Sequence, residues 1–177
     1  MNSHDHYPEH HVRRLLQETR SIAIVGASSN PNRPSFFVVK YMLAKGYHVF
    51  PINPGKAGGE IAGARVYGSL SDLPEPVDMV DVFRNVDALP GIASEIIALP
   101  TLPKLVWFQL GIRDDAIASV LETAGITVIQ NRCPKIEYGR LCGEIAWVGY
   151  NRRIISAKKP RLQKGYQHLG LAVDEPA

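Results

Sequence analysis

Residues Ser21–Ser35 read SIAIVGASSNPNRPS. Ile22 to Val25 are apolar and rich in β-branched side chains, which predicts the heart of a buried strand. Gly26 follows without a break, then small and turn-forming residues, then Pro34. Beyond Pro34 the apolar spacing turns helical, with Phe36, Val39, Met42 and Leu43 on one face. Strand, glycine turn and helix make the opening unit of a nucleotide-binding α/β fold. In such a unit the N–H groups at the helix start point outward and can hold phosphate.

The flanking sequence extends the pattern. Upstream, Val12, Leu15 and Leu16 predict a short amphipathic helix leading into the first strand. Downstream, Gly46 caps the helix and Tyr47 to Asn53 (YHVFPIN) forms a second strand ending in the turn Asn53-Pro54-Gly55-Lys56. Ala57 to Gly63 is glycine-rich and irregular, and Arg65 to Tyr67 adds a short extended piece. Val77 to Phe83 (VDMVDVF) is a third strand. Asp78 and Asp81 do not fit a strict alternation there, which places one of them at a strand end or turn. A helix over 88–98 follows, with Pro90 tolerated in its first turn. Leu105 to Leu110 (LVWFQL) is almost continuously apolar, as expected of a strand covered on both faces. Asp114 and Asp115 begin a helix to Thr123, where carboxylates complement its dipole. Gly125 ends that helix, and Thr127 to Gln130 is a fifth strand. The alternation predicts a single α/β domain built on a parallel, doubly wound sheet.

At 177 residues the chain is long enough for one domain with a full core. It has no apolar run of about 18 residues, so no membrane span is expected. The first residues are polar and lack the apolar stretch of a secretory signal. Cys133 and Cys142 provide no disulfide framework, and free thiols fit a cytoplasmic setting. His4, His6, His10 and His11 could suggest a metal site, but a frayed polar terminus over residues 1–11 is the better reading. The net charge of +3 is concentrated late in the chain. Between residues 151 and 168 stand Arg152, Arg153, Lys158, Lys159, Arg161 and Lys164 with no acid. The segment 146–177 therefore reads as a basic tail, either solvated or bridging subunits. With Tyr166 as its one aromatic residue between 151 and 168, it is a poor nucleic-acid site.

In doubly wound sheets the ligand lies at the carboxyl ends of the strands. The candidate loops are Gly26 to Ser29, Asn53 to Lys56, Phe83-Arg84, Gln109 to Gly111, and Asn131 to Pro134. A dinucleotide fingerprint needs glycine at the first, third and sixth places after the strand. Those places hold Gly26, Ser28 and Pro31. NAD binding also needs an acid after the second strand, where this chain has Asn53-Pro54 and then Lys56. A lysine there suits an extra phosphate better than a free ribose diol. NADP stays open but is not favoured.

Taken together, GASSNPNRPS, INP, VDMVDVFRN, WFQLG and NRCPKIEYGRL resemble the small bacterial CoA-binding domain family. That family is similar to the N-terminal domain of the succinyl-CoA synthetase α subunit. The resemblance runs from about Leu15 to Leu141 and implies a Rossmann-like domain, within residues 12–145, that binds coenzyme A or an acyl-CoA. It implies that Gly26, Ala27, Ser28 and Ser29 meet the pyrophosphate, with Arg33, Pro34 and Ser35 closing the loop. Asn53, Pro54 and Lys56 would lie along the adenosine and its 3′-phosphate, and Phe83 and Arg84 would flank the adenine or pantetheine. Gln109, Gly111, Asn131 and Cys133 would line the rest of the groove.

The synthetase carries its phosphoryl group on a histidine in a second domain. Here no histidine follows a sheet strand, so ligase activity by this chain alone is not expected. No nucleophile-and-base set, metal spacing or carboxylate pair is evident either. Cys133 is the one nucleophile beside the expected groove, and packing before Pro134 is its favoured role. The expected function is a non-catalytic binding or accessory module, possible as a homo-oligomer. The alternatives are an NAD(P)-dependent oxidoreductase and a ligase subunit dependent on a partner.

Overall fold

The structure, a computed structural model, describes residues 4–144 and 170–171. Short runs of mostly buried residues build five parallel strands: β1 (Ser21–Val25), β2 (His48–Ile52), β5 (Met79–Val82), β6 (Leu105–Phe108) and β7 (Thr127–Ile129). Their order across the sheet is β2-β1-β5-β6-β7. A small antiparallel pair, β3 (Glu60–Ile61) and β4 (Ala64–Arg65), lies between β2 and β5 in the chain. Five helices accompany the strands: α1 (Glu9–Glu18), α2 (Pro34–Ala44), α3 (Leu89–Ile97), α4 (Asp115–Thr123) and α5 (Pro134–Leu141). This is the Rossmann-like α/β architecture that the sequence implied.

Alternation along each strand divides the core into two layers. Ile22, Ile24, Met79 and Trp107 face α1, α2 and α5. Ala23, Val80, Val82, Val106 and Phe108 face α3 and α4. Both faces of the sheet are dry, which explains the continuous apolar run in β6. Trp107 is fully buried, and its indole N–H donates to the Arg132 carbonyl at 2.8 Å. That bond ties the segment after β7 to the neighbouring strand β6.

The sequence reading and the structure differ in three places. α1 begins at Glu9 rather than Val12. Residues 4–8, expected within a frayed terminus, make specific contacts: His4 is buried against Tyr7, and the Tyr7 hydroxyl accepts from the Gln130 amide at 2.8 Å. α5 was not foreseen, because Lys135, Glu137 and Arg140 dilute its apolar stripe. In the third strand Asp78 lies before the first residue, as one of the two acids was expected to do. There it accepts from the amide of Arg20 and from Lys104 Nζ. Asp81 lies inside β5 and is fully buried. The basic tail falls outside the described residues except for Gly170 and Leu171, whose amide donates to the Tyr138 hydroxyl.

Candidate functional site

The chain leaves β1 through α2 on one face of the sheet and leaves β5 through α3 on the other. The strand order therefore reverses direction between β1 and β5, and loops diverging from such a point leave a crevice at the carboxyl edge. Gly26 lies at that point. Its φ is +84°, and a Cβ there would come within 2.8 Å of Arg84 Cδ and 2.9 Å of the Phe83 carbonyl oxygen. Glycine is required for both the turn and the close approach. The amides of Gly26 and Ala27 both donate to the Ile52 carbonyl, at 3.1 and 3.2 Å, so the first loop is clamped between its neighbours.

Polar side chains stiffen this loop from within. The Ser28 amide donates to Ser35 Oγ at 3.1 Å, and the Asn30 amide donates to Ser28 Oγ at 3.2 Å. Ser29 and Arg33 are exposed, while Ser35 is buried at the start of α2, just past Pro34 in the first turn. No side chain of the N-cap residue caps α2. Asn53 joins the second loop to the first, its Nδ2 donating to the Ala27 carbonyl at 2.7 Å. Its Oδ1 also accepts from the Gly55 amide at 3.0 Å, which holds the Pro54–Lys56 turn with Lys56 exposed.

Farther along the edge, the Phe83 amide donates to the Val25 carbonyl, leaving Phe83 half-buried and Arg84 exposed over Gly26. Asn131 adopts φ +52° and accepts from the Gly111 amide at 2.8 Å through Oδ1, joining the β6 and β7 loops. The sixteen candidate residues thus all lie on one edge, in loops or in the first turn of α2; Ala27 is buried there with the core, and three polar or thiol side chains also face inward. Ser35 is one. Gln109 is the second: it is buried, and its Nε2 donates to both oxygens of Asp81, at 2.9 and 3.0 Å. Cys133 is the third, packed in the layer that contains Ile129 and Tyr138. Burial pushes its thiol pKa up, against the pull of the Ile136 and Lys135 amides, and the nearby Asp81 raises it further. A buried thiol of that kind lacks the exposure and thiolate character of a reactive cysteine.

Asp81, the buried partner of Gln109, is the residue at this edge that the sequence reading did not single out as a candidate. Its signal was an acid inside an apolar strand. Burial pushes its carboxyl up to about 8, with the Gln109 amide pulling the other way. Two other clefts lie elsewhere. One is lined by Arg20, Lys45, Tyr47 and Tyr138 at the opposite end of the strands, and the other by His4, His6, Tyr7 and Glu122 beside β7. Among the described residues no group of three His, Cys, Asp or Glu side chains could hold a metal.

A glycine-pinned first turn, a helix that follows it and a reversal of strand order define a Rossmann-like domain. Within that class the assignment is specific: a family described as the CoA binding domain matches residues 20–139, and the chain belongs to it. The chain is 35% identical over 127 residues to the uncharacterised protein YneT of Bacillus subtilis, covering 72% of this chain and 91% of YneT. A solved structure from Thermus thermophilus has 40% identity and a TM-score of 0.70, covering 74% of this chain and 96% of its own. The alpha subunit of ADP-forming acetate–CoA ligase I from Pyrococcus furiosus is 29% identical over 84 residues. That match covers 45% of this chain but only 18% of the ligase subunit. No helix among the described residues is long and apolar enough to cross a membrane.

Proposed function

We propose that this domain binds coenzyme A or an acyl-CoA in the crevice between β1 and β5, and that it acts as a non-catalytic binding or accessory module. The observation that carries this reading is the Gly26 loop, clamped to Ile52 on one side and pressed against Phe83 and Arg84 on the other. It forms a stiff cradle beside the start of α2, with the cations Arg33, Lys56 and Arg84 on exposed loops. The pyrophosphate would lie along Gly26 to Ser29, and the 3′-phosphate near Lys56. The pantetheine arm would run past Phe83 toward Gln109, Gly111 and Asn131. The ligase relative supports a role beside an acyl-CoA enzyme, and a cytoplasmic setting and self-association belong to the same proposal. NAD and NADP are disfavoured by Ser28, Pro31 and Asn53.

A thermal-shift series tests this directly. Coenzyme A at about 100 times its dissociation constant is expected to add ~2.7 kcal/mol of stability. Dephospho-CoA should give a smaller shift, and NAD and NADP smaller still. Shifts with NAD equal to those with coenzyme A would overturn the assignment.

Replacing Arg33 or Lys56 with Ala should weaken coenzyme A binding and flatten its salt dependence, because charge-assisted contacts to phosphate are strong and screened by salt. The Lys56→Ala variant should also lose discrimination between coenzyme A and dephospho-CoA in calorimetric titrations. An unchanged ratio of the two affinities would remove Lys56 from the 3′-phosphate.

A further inference from the structure

Asp81 and Gln109 occupy an unusual position. Asp81 stands on the central strand at the reversal point, in register with Ile24 of β1 and Trp107 of β6. Its side chain is in the layer covered by α2 and α5, beneath the crevice. Gln109 Nε2 donates to both carboxylate oxygens. This fixes the amide's orientation, since its oxygen would be repelled by the ionised carboxylate. Gln109 Oε1 is turned away from Asp81 and is not sealed from solvent as an unpartnered buried atom. The amide therefore presents an acceptor while Asp81 is ionised. β6 lies two strand spacings from β1, about 10 Å away, within reach of a pantetheine arm whose pyrophosphate rests on the Gly26 loop.

On the coenzyme A reading above, we propose that Asp81 is a positioning residue that sets which end of the Gln109 amide meets the ligand's sulfur terminus, so that the ionised site prefers a free thiol to a thioester. A thiol can donate to Gln109 Oε1, whereas a thioester offers only acceptors there. When Asp81 is protonated its own O–H needs an acceptor. The Gln109 amide then turns, Oε1 accepts from Asp81, and Nε2 faces the crevice, where a thioester carbonyl can use it. Burial places this titration near pH 8. The groups around Asp81 leave the response to it. β1 contributes apolar Ile24, β6 contributes Trp107, the residue after β6 is neutral Gln109, the N-cap of α5 is Cys133, and among the described residues no cation is paired with the carboxylate.

The test is calorimetric titration of the full chain with coenzyme A, acetyl-CoA and adenosine 3′,5′-bisphosphate, between about pH 6 and about pH 9, for wild type and Asp81→Asn. In the wild type the preference for coenzyme A over acetyl-CoA is expected to rise about three- to tenfold across that range, the value of one neutral hydrogen bond. In Asp81→Asn only the change due to the thiol's own ionisation should remain. Adenosine bisphosphate should bind both proteins alike at every pH. A wild-type preference that does not change with pH, or the same profile in Asp81→Asn, overturns the inference while leaving coenzyme A binding intact. If none of the three ligands binds, the coenzyme A reading falls and this inference falls with it. Should Asp81→Asn fail to fold, the wild-type profile of acetyl-CoA against its non-hydrolysable thioether analogue decides. The thioether lacks the carbonyl, so only acetyl-CoA should gain affinity at low pH, and equal behaviour of the two overturns the proposal.

Discussion

Thermal melts of Asp81→Asn should match those of the wild type near pH 4 and become progressively more stable than them as pH rises toward 8. Burial raises the folded-state carboxyl to about 8, against about 3.9 in an unfolded chain. The folded state therefore holds the proton more tightly. Its stabilising contribution is fully present below the unfolded value and is lost as pH rises through the folded one. Over that interval the loss is on the order of a few kcal/mol, a large share of the ~5–15 kcal/mol that holds a typical domain together. Asparagine has nearly the shape of the protonated side chain, keeps a hydrogen bond to Gln109 and carries no charge to desolvate. The check is a pair of melting or denaturant series across this pH range. If Asp81→Asn is the less stable protein at high pH, the carboxylate is held by favourable partners and the burial argument is wrong.

Gly26→Ala should be the most damaging single change on the carboxyl edge. A Cβ would meet the Phe83 carbonyl at 2.9 Å and Arg84 Cδ at 2.8 Å, on a backbone with φ +84°. The arginine side chain can move, but the carbonyl belongs to the end of β5 and cannot. Gly58 provides the control, since its φ is +82° and nothing lies within 4 Å of the added Cβ. Gly58→Ala should cost about 1 kcal/mol for the left-handed backbone alone. Gly26→Ala should cost about 2–4 kcal/mol, because overpacking is added to the backbone strain. It should also weaken coenzyme A binding by spreading the first loop from the β5 loop. Denaturant unfolding of the two variants, followed by calorimetry on the folded fraction, separates the effects. Equal costs at the two positions would mean that the close approach contributes nothing.

The elements that could be read from sequence depend on neighbours only a few residues apart. Ile22 to Val25 with Gly26, the helical spacing after Pro34, the apolar run at Leu105 and the acids before α4 each state a local preference. These preferences determined the alternation of strands and helices, and with it the parallel sheet and the edge that carries the loops. The ordered motifs pointed to the family for the same reason, since loop chemistry is written in consecutive residues. What the tertiary structure decided concerns partners far apart in the chain. The strand order that opens the crevice beside Gly26 comes from pairing β1 with β5, whose strands are joined by more than fifty residues. Asp81 finds its hydrogen-bond partner in Gln109, 28 positions later, and Asn53 becomes a brace through Ala27, 26 positions earlier. Cys133 was placed in the groove by its position after the fifth strand, but it turns into the core because α5 packs against α1 and α2. Composition and spacing report a residue's own conformational and solvation preferences. Whether a polar group ends in water or under a layer of helices depends on which distant segments cover it, and only the assembled sheet determines that.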